Sequence, residues 1–262
     1  MSKAIMWFRN DLRLTDNPAL RAALQAHDSI LPVYILDERL LRPGRWGFTR
    51  MGPHRLKFLL ESLEDLRNDL QEKGSGLLLL QGRPEQRLPE LAETYNCKAV
   101  YASKGYAHEE VQAENEVASA LPLHLHHSLL LVEPEALPFS IDKVPDVYTQ
   151  FRKRVEKYAE VPLPLDPPEQ IPTVAFEPAP LPNPEQLGQA EPEPEKRGAL
   201  SFKGGALAAY ERLDHYLWDT DALATYKQTR NGMIGPDYSS KFSAWLANGS
   251  ISARASWHEV EA

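Results

Sequence analysis

The chain has 262 residues, of which 42% are hydrophobic and 25% charged. This composition is typical of a globular protein and excludes a fibrous or wholly disordered chain. No apolar run approaches the 18 or more residues of a membrane span, and no secretory signal follows the N-terminus, so we expect a cytoplasmic protein without membrane contact. The single cysteine, Cys97, excludes an internal disulfide and a thiolate zinc cage.

The net charge of −8 is unevenly distributed along the chain. Residues 160–197 contain eight acids against two bases. Residues 226–254 contain only one acid, Asp237, against Lys227, Arg230, Lys241 and Arg254. Because salt screens charges beyond about 8 Å, we expect a local basic stripe that can bind phosphate despite the acidic total.

Short apolar runs alternate with helical patterns from residue 3 to residue 125. The predicted strands lack polar alternation, as expected for strands buried on both faces of a parallel sheet; they are residues 4–8, 30–35, 77–80, 99–102 and 123–125. The predicted helices are residues 18–25, 53–73, 85–95 and 109–120. This order predicts an α/β domain with a doubly wound parallel sheet in residues 1–130.

The residues after the first strand combine helix capping with charge that capping does not explain. Asp16 or Asn17 can cap the helix that follows. Arg9, Asp11 and Arg13 have no such role. At the carboxyl end of a strand in a doubly wound sheet, such charges are expected to line a ligand crevice or a contact between domains.

Residues 161–197 contain 11 of the 22 prolines and few large apolar side chains. We interpret them as the Pro-rich part of an interdomain connector, residues 131–200, that does not join the core. A disordered tether and a long ordered connector both fit this composition. Residues 201–262 have helical patterns at 204–217 and at 241–247, the second opened by Ser239 or Ser240 and closed near Gly249.

Four segments carry a resemblance to a known family. They are MWFRNDLRLTDNPAL at residues 6–20, PDVYTQFRK at 145–153, YKQTRNGM at 226–233 and YSSKFSAWLANGSISAR at 238–254. In this order they resemble the photolyase/cryptochrome family, and within it the DASH-type cryptochromes. The resemblance implies an all-helical FAD-binding domain that begins near residue 201 and is incomplete, so we expect a C-terminally truncated chain.

The last of these segments has the chemistry of a phosphate site. Its serines offer hydroxyl groups, Lys241 adds a positive charge, and backbone N–H groups at a helix start favour an anion. Ordinary N-capping explains the serines as well, from the residues alone. The resemblance implies that FAD is bound by Tyr226, Ser239, Ser240, Lys241, Phe242 and Ser243. Phe242 is expected to pack and to contribute only its backbone amide.

The resemblance also implies an antenna pigment, 5,10-methenyltetrahydrofolate. Its pterin would be bound by an acidic residue near the start of the fourth sheet helix, where Glu109 and Glu110 are the candidates and Glu109 is our assignment. The helix dipole explains both acids without a ligand.

Histidines and tryptophans suggest two further sites that we do not adopt. His124 and His126 share one face of a strand, but without a nearby cysteine this spacing is weak evidence for a metal, and we interpret them as solvated strand-end histidines. The resemblance places the electron relay to flavin beyond residue 262. We therefore interpret the five tryptophans as packing residues: Trp7, Trp46, Trp218, Trp245 and Trp257.

The implied function is that of a deoxyribodipyrimidine photolyase, a lyase that uses FAD and blue light to repair cyclobutane pyrimidine dimers, mainly in single-stranded DNA. The resemblance implies that Arg230 contacts a DNA phosphate. Because the helical domain is incomplete, we expect no catalytic residue in this chain, no repair by the chain alone, and self-association through exposed C-terminal helices. A non-catalytic blue-light photoreceptor and a nucleotide-binding α/β protein that kept only the fold are the alternatives.

Overall fold

The computed structural model describes residues 1–193 and 198–262, and the end of the predicted Pro-rich segment, residues 194–197, lies outside the described residues. The strands are β1 (Lys3–Phe8), β2 (Ser29–Asp37), β3 (Leu78–Gly82), β4 (Val100–Ser103) and β5 (Leu123–His126). They form one parallel sheet in the order β3-β2-β1-β4-β5. The direction of winding reverses between β1 and β4, so the predicted doubly wound sheet is confirmed.

Helices cover both faces of this sheet: α1 (Pro18–Ala26), α2 (Glu38–Leu41), α3 (Pro53–Glu72), α4 (Pro84–Tyr95) and α5 (His108–Ala120). Along β1, Met6 and Phe8 pack with residues of α1 and α3, whereas Ile5 and Trp7 pack with residues of α4 and α5. Both faces of the central strands are thereby removed from water, which explains their continuous apolar runs. The four helices predicted for this domain are confirmed to within one residue at each end.

Side-chain capping and a left-handed glycine mark the ends of two of these helices. Asn17 accepts a hydrogen bond from the N–H of Leu20 at 3.1 Å and caps α1. Gly74 follows α3 with φ of +77°, the left-handed conformation that glycine adopts at little cost. Asp16, the other capping candidate, instead accepts a hydrogen bond from Arg254 near the C-terminus.

The connector is ordered against the sheet domain. Ile30 of β2 donates its N–H to the carbonyl of Pro172 and accepts the N–H of Val174, both at 2.9 Å. Ile171, Val174 and Leu187 are buried in the cores. Of the two alternatives, the ordered connector is present, and the expectation that it stays outside the core is wrong. Prolines carry no N–H, so an extended proline-rich segment can be buried with few backbone partners.

The remaining helices are α6 (Tyr148–Tyr158), α7 (Ala206–Asp214), α8 (Ala222–Thr229), α9 (Ser243–Asn248) and α10 (Ala253–Glu261), with a π-helical turn (His215–Asp219) after α7. The helix predicted at 204–217 begins two residues later. Its first N–H, that of Ala206, donates to Asp65 of α3 at 2.6 Å, so the sheet domain itself caps α7. Residues of α7, the π-helical turn and α9 form a separate small core.

The tryptophans divide between core and surface. Trp7 and Trp245 are 3% and 2% exposed, as expected of packing residues. Trp46, Trp218 and Trp257 are 70%, 56% and 42% exposed, so the packing interpretation is wrong for these three. Trp46 stacks under the guanidinium of Arg45 in a surface loop instead. Across the described ranges, no helix has the length and apolar character needed to cross a bilayer.

Candidate phosphate-binding site

The serine loop, which we define as residues 236–242, lies between α8 and α9. The predicted helix start is wrong, because α9 begins at Ser243 and Phe242 takes the N-cap position without a side-chain cap. Lys241 has φ of +63°, a left-handed conformation that interrupts the helical run. The predicted end near Gly249 is confirmed. Since α9 has only six residues, the loop backbone and not a helix dipole is the feature that can bind an anion.

Successive N–H groups of this loop are left for a ligand or for water. The left-handed Lys241 precedes Phe242, which is right-handed with φ of −71° and ψ of −13°. Such a pair turns consecutive N–H groups toward one point and forms an anion-binding nest. Within residues 1–193 and 198–262, the backbone N–H groups of residues 239–243 donate to no protein oxygen.

Arg212 of α7 holds the serine loop from the inside, and its side chain is only 5% exposed. Its Nε donates to the carbonyl of Ser240 at 3.0 Å, and its Nη2 donates to the carbonyls of Pro236 at 2.8 Å and Ser239 at 3.3 Å. Its Nη1 donates to Asp237 Oδ1 at 2.9 Å. Although desolvation opposes it, the hydrogen bond from Arg212 keeps the pKa of Asp237 below its ordinary value.

The sequence interpretation missed Arg212 and its partner Asp237. A signal was present, because Arg212 lies on the same helical face as Ala209, Leu213 and Tyr216, which are buried. A cation on the apolar face of a helix requires acceptors inside the protein. The only acid of residues 226–254 was the natural candidate.

Tyr216 of the π-helical turn links the serine loop to α8. The ring of Phe242 packs against Tyr216 with centroids 6.0 Å apart, so its predicted packing is confirmed. Burial raises the pKa of Tyr216, and the neighbouring Tyr226 raises it further. Tyr226 itself is 40% exposed. The structure therefore brings Tyr226 and Phe242 next to Tyr216, and Ser239 and Ser240 next to Arg212.

The predicted basic stripe is present only in part. Lys227 and Arg230 are exposed at the end of α8, and Lys241 is half-buried. Arg254 does not belong to the stripe, because it is 5% exposed and pairs with Asp16 at 2.8 Å and with Glu133 at 3.4 Å. Its place in α10, which packs against the loop after β1, explains the error.

Charged side chains in the loop after β1 join the sheet domain to the C-terminal helices. Arg13 is 2% exposed and donates to the carbonyl of Gly249 at 2.9 Å and to that of Ser128 at 2.6 Å. Asp11 is fully buried, and desolvation raises its pKa. Of the two roles expected at this strand end, Arg13 has the contact between domains and Arg9 lines a crevice.

That crevice has a volume of about 830 Å³ and lies at the carboxyl ends of β1 and β2. Glu109 is at its rim with a side chain that is 61% exposed, and a hydrogen bond from Arg50 lowers its pKa. Glu110 instead accepts the N–H groups of Tyr106 at 3.0 Å and Ala107 at 3.1 Å. Among the described hydrogen bonds and ion pairs, none joins Glu109 to the serine loop.

His124 and His126 belong to an aromatic stack at the sheet edge. Their rings lie over Tyr101 with centroid distances of 4.6 Å and 6.2 Å. Burial lowers the pKa of His126, and the charge of His124 lowers it further. In the part of the chain that the structure describes, no three His, Cys, Asp or Glu residues are grouped so that they could hold a metal ion.

Comparison with known proteins places these features in a family. The DNA photolyase family model matches residues 4–172. Cryptochrome DASH of Gloeobacter violaceus is 40% identical over 263 residues, with 98% of this chain and 53% of the relative covered. The chloroplastic/mitochondrial Cryptochrome DASH of Arabidopsis thaliana is 42% identical over 271 residues, with 98% and 47% covered.

Solved structures agree with this comparison. A cryptochrome of Synechocystis has a TM-score of 0.93 at 37% identity, with 100% of this chain and 55% of that chain covered. A class III photolyase of Agrobacterium tumefaciens has a TM-score of 0.79 at 28% identity, with 98% and 52% covered. The chain therefore spans about half the length of the relatives it matches.

Proposed function

This chain belongs to the DNA photolyase family, and from that premise we propose that it serves DASH-type, FAD-dependent repair of cyclobutane pyrimidine dimers by blue light, mainly in single-stranded DNA. In this proposal residues 1–130 form the antenna domain, 131–200 the connector and 201–262 the first part of the FAD-binding domain. The observation that carries it is the run of N–H groups of residues 239–243 that, within residues 1–193 and 198–262, donate to no protein oxygen, with the left-handed Lys241 among them.

The serine loop and Ser243, the first residue of α9, fit the diphosphate of FAD. A diphosphate needs several donors at once, and five consecutive N–H groups, three serine hydroxyls and the ammonium of Lys241 supply them. Tyr226 is the sixth residue of this proposed set. Bound FAD would supply the light-driven electron transfer that splits the dimer. The contribution of this chain is to hold the diphosphate in one orientation.

Arg230 would bind a DNA phosphate. It is exposed directly after α8, beside the exposed Lys227, and its N–H donates to the carbonyl of Tyr226 at 2.8 Å. The backbone of this basic pair is therefore fixed while its side chains are free to reach a polyanion. Phosphate contacts of this kind add affinity without sequence preference.

The crevice at the carboxyl ends of β1 and β2 would hold the antenna pigment, 5,10-methenyltetrahydrofolate. Its volume of about 830 Å³ suits a ring system of that size. Glu109 at the rim carries a charged carboxylate that can accept the N–H groups of a pterin.

The chain alone is expected not to repair DNA. Electron transfer to a flipped base requires a pocket that excludes water. Tyr226 is 40% exposed, and Met233 and Ile234, which lie between α8 and the serine loop, are 91% and 90% exposed. These exposed side chains next to the serine loop are accessible to water, so they do not form such a pocket.

The proposed function is tested by fluorescence titration of the purified chain with FAD and, separately, with riboflavin, which lacks the diphosphate. We expect FAD to bind at least tenfold more tightly than riboflavin. Equal affinity, or no binding of FAD, would contradict the proposed role of the serine loop.

Two variants separate the flavin site from the antenna site. We expect Lys241→Glu to weaken FAD binding and to leave methenyltetrahydrofolate binding unchanged, and Glu109→Gln to have the opposite effect. Each variant is the control for the other. Folate binding by a chain that binds no FAD would favour the photoreceptor or regulatory alternative, and repair of a dimer-containing oligonucleotide under blue light would overturn the expected inactivity.

A further inference from the structure

We propose that Arg212 is a positioning residue, which presents the N–H groups of the serine loop to the diphosphate without touching it. This inference rests on the proposed function, since it concerns the same site. It extends the site from the loop that would contact the ligand to the helix α7 behind it.

The geometry of the peptide bond links the direction of each carbonyl to the direction of the next N–H group. In a trans peptide the N–H points opposite to the C=O of the same unit. The carbonyl of Ser239 shares its unit with the N–H of Ser240, and the carbonyl of Ser240 shares its unit with the N–H of Lys241. Because Arg212 binds both carbonyls, at 3.3 Å and 3.0 Å, both N–H groups are directed away from the protein interior.

A third peptide unit is held in the same way. Arg212 Nη2 donates to the carbonyl of Pro236 at 2.8 Å, which fixes the unit that contains the N–H of Asp237. The side chain of Asp237 then closes on Arg212 Nη1 at 2.9 Å, and its Oδ1 lies 3.2 Å from His215 Nε2. The serine loop is thus tied to α7 by four hydrogen bonds from one guanidinium, and to the π-helical turn through His215.

Only arginine can make this set of contacts. Its planar guanidinium has donors on three nitrogens, which here reach three carbonyls and one carboxylate. A lysine has one ammonium and can satisfy only part of the set. The left-handed conformation of Lys241 is unfavourable for a residue with a side chain, so it needs such external restraint.

The test uses inorganic pyrophosphate and ADP as probes, titrated into the 262-residue chain by calorimetry. We expect Arg212→Lys to weaken both probes at least tenfold. The matched control is Arg254→Lys, a second buried arginine of the C-terminal helices that bonds no residue of the serine loop. Arg254→Lys is expected to change the affinity for either probe by less than twofold, although it lowers the urea midpoint at least as much as Arg212→Lys does.

A milder variant and a rescue keep the test decisive if Arg212→Lys folds poorly. Asp237→Asn removes the charge from a carboxylate that is 34% exposed, and we expect it to weaken the probes about threefold. Methylguanidinium at constant ionic strength should restore part of the pyrophosphate affinity of Arg212→Ala, whereas methylammonium should not.

The outcomes separate the inference from the function on which it rests. If the wild-type chain binds neither probe, the proposed function fails. If the wild-type chain binds both and Arg212→Lys binds them equally well, the positioning role is overturned. An equal loss in Arg254→Lys would also overturn it, because the effect would then follow stability alone.

Discussion

Two buried arginines of the C-terminal helices, Arg254 and Arg212, differ in the partners that they bind. Arg254 pairs with Asp16, and the two side chains are 6% and 1% exposed. Arg212 pairs with Asp237, and the two side chains are 5% and 34% exposed. The first pair joins distant parts of the chain, residues 16 and 254, whereas the second joins a helix to a loop 25 residues away.

The difference shows where each network directs its hydrogen bonds. Arg254 pairs with carboxylates, those of Asp16 and Glu133, inside the junction. Arg212 donates three of its hydrogen bonds to loop carbonyls, and within residues 1–193 and 198–262 the N–H groups of those same peptide units have no protein acceptor. The first network therefore joins the loop after β1 to the C-terminal helices, and in our proposal the second presents N–H groups to an anion.

The largest effect is expected from breaking the junction pair. Arg254→Ala should lower the free energy of unfolding by about 4 kcal/mol, because it leaves Asp16 charged and buried without its partner. Urea denaturation measures this change. In the double variant Asp16→Asn/Arg254→Met the loss should be smaller than in Arg254→Ala, and a single-variant loss below about 1 kcal/mol would show that the junction does not depend on the pair.

The close approach of the two domains can be tested at a glycine. A Cβ on Gly249 would overlap the carbonyl oxygen of Asn10, and the φ of Gly249 is +71°. We expect Gly249→Ala to cost about 3 kcal/mol from strain and overpacking. Gly74→Ala is the matched control, with φ of +77° and no atom within 4 Å, and should cost about 1 kcal/mol. Equal losses in urea denaturation would contradict the close contact.

Asp69 is a third carboxylate to compare with Asp16 and Asp237, because it lacks a strong cationic partner. Burial, followed by the charges of Asp65 and Glu72, raises the pKa of Asp69 to about 6. Because the carboxyl of Asp69 is harder to ionise in the folded chain than in the unfolded chain, the folded state is favoured most at low pH, where Asp69 is protonated. This contribution to stability is lost as pH rises through 6. We therefore expect Asp69→Asn to stabilise the chain by about 1 kcal/mol at pH 7.5, after allowance for screening, and by almost nothing at pH 4. Thermal melts at both pH values measure the difference, and a stabilisation independent of pH would contradict the assignment.

The smallest effect is expected at the rim of the crevice. The side chains of Arg50 and Glu109 are 51% and 61% exposed, so water screens their ion pair. Arg50→Ala should change the free energy of unfolding by less than about 0.5 kcal/mol. A loss of more than about 1 kcal/mol in urea denaturation would mean that the pair has a structural role and is not merely a surface contact.

Sequence patterns predicted the sheet domain well and the C-terminal region poorly. The five strands and four long helices follow from apolar runs and helical spacing, because each of these elements buries a face that its own residues define. Ser239 and Ser240 were placed at a helix start, but the left-handed Lys241 moves that start to Ser243. The conformation of Lys241 has no local sequence signal, since glycine is the residue that usually marks it.

The sequence by itself determined the α/β order of elements, the family motifs and the serine-rich composition of residues 238–243. Only the tertiary structure decided that Arg254 is buried against Asp16 and that Arg212 lies behind the serine loop. The physical reason is that periodicity reports which face of one element avoids water, whereas the partner of a buried charge depends on elements up to 238 residues away along the chain.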